Sequence, residues 1–117
     1  MAAVKQFCFV IRHAPDDDFR AGELLDMALT TAAFDQIATV VFMDEGVLHL
    51  LPGRNSRSNV VQMLAAFDLY DLAPPWVETE SLSARGATAA DLPVPVRFID
   101  KDELSRLLAR QQVLVAG

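Results

Sequence analysis

The 117-residue chain has a single cysteine, Cys8, and two histidines, His13 and His49. A lone cysteine excludes an internal disulfide, and this set is too small for a Cys/His metal centre. Basic residues are also few. Lys and Arg number 10 against 16 Asp and Glu, giving a net charge of −6 and a pI near 4.7. Nucleic-acid binding relies on cations that neutralise phosphates, so a direct DNA or RNA surface is disfavoured and a basic protein partner is compatible. No apolar run approaches the roughly 18 residues that a membrane span requires. The first residues lack the charged start and long apolar stretch of a signal peptide. The expectation is a cytoplasmic protein that does not contact a membrane.

The turn after the first predicted strand has no glycine. It reads His13-Ala14-Pro15-Asp16-Asp17-Asp18-Phe19. Phosphate cradles need glycine there so that backbone N–H groups can approach, and three acids would repel the ligand. FMN and dinucleotides are therefore disfavoured, and no cofactor is expected. A phosphoreceiver would need a lysine at a late strand end, which Val113–Gly117 does not supply.

What is abundant is apolar surface. Hydrophobic residues make up 52% of the chain and the mean hydropathy is +0.25. One domain spanning residues 1–117 can bury a core of its own, and the excess suggests strands covered on both faces or surface buried against other chains.

Gln6–Ile11 is continuous, β-branched and aromatic, which predicts a central strand. A helix capped by Asp18 follows to about Ala33, with Leu24, Leu25, Ala28, Leu29 and Ala32 on one stripe. Ala38–Met43 predicts the second strand, and Ser58–Phe67 a helix with Val60, Val61, Leu64 and Phe67 inward. Pro74-Pro75 forbids continuation. Trp76–Thr79 predicts a third strand, Ser81–Arg85 a helical turn closed by Gly86, and Thr88–Pro95 a loop. Val96–Ile99 predicts a fourth strand. Asp100–Arg110 follows as a helix with Asp100 and Glu103 at capping-box spacing and Leu104, Leu107 and Leu108 inward. Gln112–Val115 predicts the fifth strand. This alternation indicates an α/β fold: a five-stranded, mainly parallel sheet in a three-layer, flavodoxin-like sandwich with helices on both faces. The expected strand order is 2-1-3-4-5.

The connection Asp44–Gly53 is unusual. Two acids and a glycine lead into Val47, Leu48, Leu50 and Leu51 before Pro52-Gly53 stops the turn. Connections normally run over the surface and are polar. Such a segment either covers one end of the sheet as a helical turn or packs against another protein chain. Val47, Leu48, Leu50 and Leu51, with Trp76, are the interface candidates. Trp76 and Tyr70 are core residues by default, although both types are favoured at interfaces.

Chemistry in an open parallel sheet gathers beyond the carboxyl ends of its strands. His13 and Asp44 should share that crevice, as a base with an orienting carboxylate or simply as loop residues. No Ser, Cys or Lys nucleophile stands obviously beside them. Asp16–Asp18 reads as a solvated loop or helix start rather than a metal site. Arg54 and Arg57, with Asn55, could hold an anion near a helix start but more commonly such residues are solvated. Cys8 lies between Phe7 and Phe9 in mid-strand, where burial would raise its pKa and block access.

Asp44-Glu45-Gly46-Val47-Leu48 followed by Leu50-Leu51-Pro52-Gly53 resembles the D-G-V-x-x-L-L-P-G signature of the TusC/DsrF proteins, within the wider DsrE family of sulfur-transfer proteins. Leu24–Leu29 resembles the family's first helix. Tyr70-Asp71-Leu72, Trp76-Val77, Ser81-Leu82 and Arg85-Gly86 resemble its later segment. The likeness runs along the whole chain. It implies a DsrE-like parallel-sheet fold and a subunit of a hexamer built from two heterotrimers, together with sister subunits of the TusD/DsrE and TusB/DsrH types. Such complexes pass persulfide sulfur toward tRNA 2-thiouridine or within sulfur oxidation. The family's active cysteine lies in or just after the third strand of the catalytic sister. The matching stretch here is Trp76–Glu80, with Glu78 nearest the position and no cysteine. The resemblance therefore implies a non-catalytic subunit. A reading from a different class is a stand-alone hydrolase or ligand-binding domain using the His13/Asp44 crevice.

Overall fold

The computed structural model describes residues 4–15, 20–51 and 59–117. Five strands form one sheet: β1 (Gln6–Ile11), β2 (Ile37–Phe42), β3 (Trp76–Glu78), β4 (Arg97–Ile99) and β5 (Val113–Ala116). Every pairing is parallel. Four α-helices connect them among the described residues: α1 (Arg20–Ala33), α2 (Val60–Ala65), α3 (Thr79–Ala84) and α4 (Lys101–Ala109). Short 3-10 helices cover Asp44–Leu50, Phe67–Tyr70 and Ala89–Asp91. The last of these interrupts the predicted loop 88–95. It is held by Thr88 and Asp91, which cap each other's backbone.

The α/β architecture with helices on both faces is as expected, but the strand order is not. It is 4-3-2-1-5 rather than 2-1-3-4-5. The reason lies in where the chain reverses. Parallel crossovers are right-handed, so strands added in one direction place their helices on one face. The steps β1 to β2 to β3 to β4 all go one way, and residues of α1, α2 and α3 share one core with Phe9, Ile11, Val40, Phe42 and Val77. Only the last step, through α4, returns across the sheet to set β5 beside β1. α4 accordingly packs on the other face, where Leu104 joins Cys8, Val10, Val41 and Ile99. Helices on two faces require one reversal, and the alternation of elements does not say which connection makes it.

β1 is an interior strand, paired on both edges and apolar on both faces. Phe9 and Ile11 face the larger core, and Cys8 and Val10 the smaller one. Each fully buried side chain of this size stabilises the fold by about 1.5–3 kcal/mol. The helix ends follow local rules. The Asp100 carboxylate accepts the Glu103 N–H at 2.8 Å and caps α4. Gly86 takes a left-handed φ of 71° just past α3, a conformation that glycine adopts without steric cost. The expected cap Asp18 and helix start Ser58 lie outside the described residues.

Candidate functional site

With β5 beside β1, the reversal of strand order falls between these two strands, and their carboxyl ends open a crevice. Its volume is about 310 Å³, and Arg12, His13, Asp44, Ala116 and Gly117 line it. Gly117 extends the β5 pairing: its N–H donates to Val10 O at 2.9 Å, and its carbonyl accepts the Arg12 N–H at 2.7 Å. The Met43 N–H donates to Ile11 O at 3.1 Å, so the chain leaves β2 still tied to β1.

Asp44 then turns the chain with φ of 51°, a left-handed conformation that Asp tolerates better than most residues. Its N–H donates to Ser81 Oγ at 2.8 Å. Ser81 in turn donates to the Glu78 carboxylate. Both are buried, Glu78 at the end of β3 and Ser81 in α3. The Asp44 carboxylate accepts from Arg12 Nε at 3.1 Å. Beside this relay Arg85 donates through Nη1 to Ser81 O at 2.9 Å and through Nη2 to Glu45 at 2.6 Å.

The 3-10 helix explains the next glycine. A Cβ on Gly46 would stand 1.9 Å from Ile11 O, so only glycine lets this turn lie against the end of β1. With three residues per turn, Val47 and Leu50 fall on one face and Leu48 and Leu51 on another. Val47 and Leu50 are wholly buried in the large core of this same chain. They are thus removed from the interface candidates: the segment covers the end of the sheet, and the spacing of three sends these two inward. Leu48 and Leu51 remain half-buried.

His13 and Asp44 line the same crevice, but no hydrogen bond joins their side chains. Asp44 is held by Arg12, and the contact involving His13 is its carbonyl with His49 Nε2 at 3.0 Å. A base with an orienting carboxylate is not assembled. Ser81 and Glu78 are paired but buried, and the Ser81 hydroxyl is also engaged by the Asp44 N–H. The arrangement ties three strand ends together. The residue types of Arg12 and Arg85 do not by themselves give their ion-pair partners. Each is recognisable only once the strand order sets it against an acid 32 or 40 positions away.

Cys8 has no exposed surface, and burial pushes its thiol from 9.0 up to about 11. Trp76 is half-buried and stacks under Arg97, while Tyr70, a core residue by default, is exposed. Among the described residues no group of His, Cys, Asp and Glu is placed to hold a metal, and no helix is long and apolar enough to cross a membrane. The acids Asp16–Asp18, the stop Pro52-Gly53 and the anion candidates Arg54, Asn55 and Arg57 lie outside the described residues.

The open five-stranded parallel sheet, covered by helices on both faces, defines the class: a small α/β domain. The family model described as DsrE/DsrF-like matches residues 5–116, and the chain belongs to that family. It is 31% identical to a TusC homologue of Vibrio vulnificus (strain CMCP6), over 97% of this chain and 99% of that protein. It is 35% identical to the intracellular sulfur oxidation protein DsrF of Allochromatium vinosum, over 85% of this chain and 75% of that protein. In fold it is similar to the ychN protein from E. coli, with a TM-score of 0.81 at 17% identity, covering 97% of this chain and all of that one.

Proposed function

We propose that this chain is a non-catalytic subunit of a cytoplasmic sulfur-relay complex of the TusBCD or DsrEFH type. In that reading it supports persulfide transfer for tRNA 2-thiouridine synthesis or for intracellular sulfur oxidation. The observation that carries the reading is the enclosed thiol in a member of a sulfur-transfer family. A persulfide carrier needs a thiolate that a partner can reach, and Cys8 meets neither condition. The resemblance implies that a cysteine would stand near Glu78, where this chain has a buried carboxylate bonded to Ser81.

The sister subunits would be of the TusD/DsrE and TusB/DsrH types, in a heterohexamer. The contact surface includes Leu48, Leu51 and Trp76, which the fold leaves partly open. The test is co-expression with the two sisters from the same genome, followed by purification and persulfide labelling of each chain. Co-elution with label on the TusD/DsrE-type chain alone is expected. Label on Cys8 during turnover, or elution of this chain by itself, overturns the proposal. The hydrolase reading of the His13/Asp44 crevice gains no support, because Asp44 is taken by Arg12.

A further inference from the structure

Among the described residues, the face of the sheet opposite α1 carries one helix, α4. Cross-strand register sets Val41, Trp76 and Arg97 in one row on that face, and the period of two adds Thr39 and Ile37. α4 has 9 residues, so it is about 14 Å long and about 10 Å wide. Five strands at about 4.8 Å spacing are about 20 Å across. The helix covers the middle and leaves a groove of about 530 Å³ at the amino ends of β2, β3 and β4. Ile37, Thr39, Tyr70, Trp76, Arg97 and Leu107 are among its lining residues. Ile37 and Tyr70 are each nearly half exposed.

Arg97 is the distinctive member. Its guanidinium lies 4.0 Å from the centre of the Trp76 ring, and its Nε donates to Pro74 O at 2.8 Å. Arg12 and Arg85 have carboxylates at 3.1 and 2.6 Å. Arg97 has none among the described residues, and its Nη groups keep their donors. Burial draws its pKa down, the direction expected of a cation losing water without a counter-ion. Two acids, Asp35 and Asp71, also line the groove, yet neither forms an ion pair with Arg97. Asp35 precedes β2 and Arg97 belongs to β4, two strand spacings or about 10 Å away. An extended peptide crosses that distance in about three residues.

We infer that this groove docks a short extended segment of a partner protein, with a carboxylate on Arg97, apolar side chains against Trp76 and Ile37, and a basic residue toward Asp35. The unpaired guanidinium calls for the carboxylate, and the acid at the far end calls for the base. A planar Arg fork stacked on indole suits bidentate carboxylate recognition, and Arg and Trp are the residues that most often dominate binding energy at interfaces. The inference adds the chemistry of one contact to the subunit reading above.

Trp76 is the only tryptophan, so its emission reports on the groove. The probe is acetyl-Lys-Leu-Leu with a free carboxylate, titrated into the isolated full-length chain beside the same peptide as its amide. The expected result is a saturable emission change with the acid and affinity at least about 10-fold weaker for the amide, the scale of a lost charged hydrogen bond. Arg97→Gln should remove that difference while circular dichroism stays unchanged. Equal binding of acid and amide overturns the inference, as does no response to either at millimolar peptide. Butyrate binding as tightly as the peptide would reassign the groove to small carboxylates. Self-association of the chain that Arg97→Gln abolishes would reassign it to a second copy. The wild-type comparison of acid and amide decides the matter even if the variant does not fold. Because the probe is a peptide, its failure leaves the subunit reading intact; failure of that reading appears in co-purification.

Discussion

Arg12 and Asp44 stand at the carboxyl ends of adjacent parallel strands and meet across the crevice, Nε to Oδ2 at 3.1 Å. Both side chains are about half exposed, so the ion pair itself is worth about 0–1 kcal/mol. The conformation of Asp44 matters more. Asp44→Asn keeps tolerance of a left-handed φ and should cost less than about 1 kcal/mol. Asp44→Val adds a β-branched side chain there and should cost on the order of 1–2 kcal/mol more. Urea unfolding of the two variants checks the ordering, and equal stabilities would remove the backbone argument.

Gly46→Ala should be among the most damaging single substitutions. The added methyl would overlap the Ile11 carbonyl at the end of β1, which a rotamer change cannot relieve. A loss of about 4 kcal/mol or more, or failure to accumulate soluble protein, is expected. A variant within about 1 kcal/mol of wild type in urea would show that the turn does not need this close approach.

Ser81→Ala leaves the buried Glu78 carboxylate and the Asp44 N–H each without a hydrogen bond described above. Stranding a buried polar group costs about 1–3 kcal/mol, and more for a charge. The expected loss is about 2–4 kcal/mol in chemical denaturation. Ser81→Thr retains the hydroxyl and should recover part of it.

Leu48 and Leu50 separate association from folding. Leu48→Lys places charge on a half-buried face, so the chain should fold but elute apart from its sister subunits. Leu50→Lys puts an unpaired ammonium in the core and should unfold the chain. A folded Leu50→Lys variant on circular dichroism would contradict the inward placement of that residue.

Cys8 should resist thiol reagents in the native state and label fully in denaturant. Its pKa is raised on folding, so the neutral thiol is favoured in the folded chain. The resulting stability is present in full below the ordinary thiol range and is lost as pH rises from about 9 toward about 11, a loss on the order of 3 kcal/mol. Cys8→Ser lacks this titration, so its stability should fall less over the same range. Parallel pH profiles for the two proteins would refute the linkage.

Much of this fold can be read from the sequence because its signals are local. β1 is a continuous apolar run, α4 begins at a capping Asp, and α3 ends at a glycine that takes a left-handed turn. The strand order depended on which crossover reverses, and no local pattern encodes that choice. The site shows the same division. The motif around Gly46 stood out, but its apolar residues divide by a period of three, so Val47 and Leu50 went inward. A lone arginine in a short strand, such as Arg97, has no periodic signature. It becomes visible only when register stacks it on Trp76 and the sheet leaves it without an acid.

Placing β5 beside β1 also fixes the order in which the molecule can be completed. Gln6 and Gln112, 106 positions apart, are joined by a hydrogen bond across this seam. At roughly 5–20 residues added per second, the first strand waits about 5–20 s after its emergence from the ribosome before its neighbour exists. Throughout that interval its outer rim, Phe7 to Val10, is an unpaired template. A nascent chain of this protein is therefore open to off-pathway strand addition until β5 has been made, and a chaperone that shields β1 would act in that window.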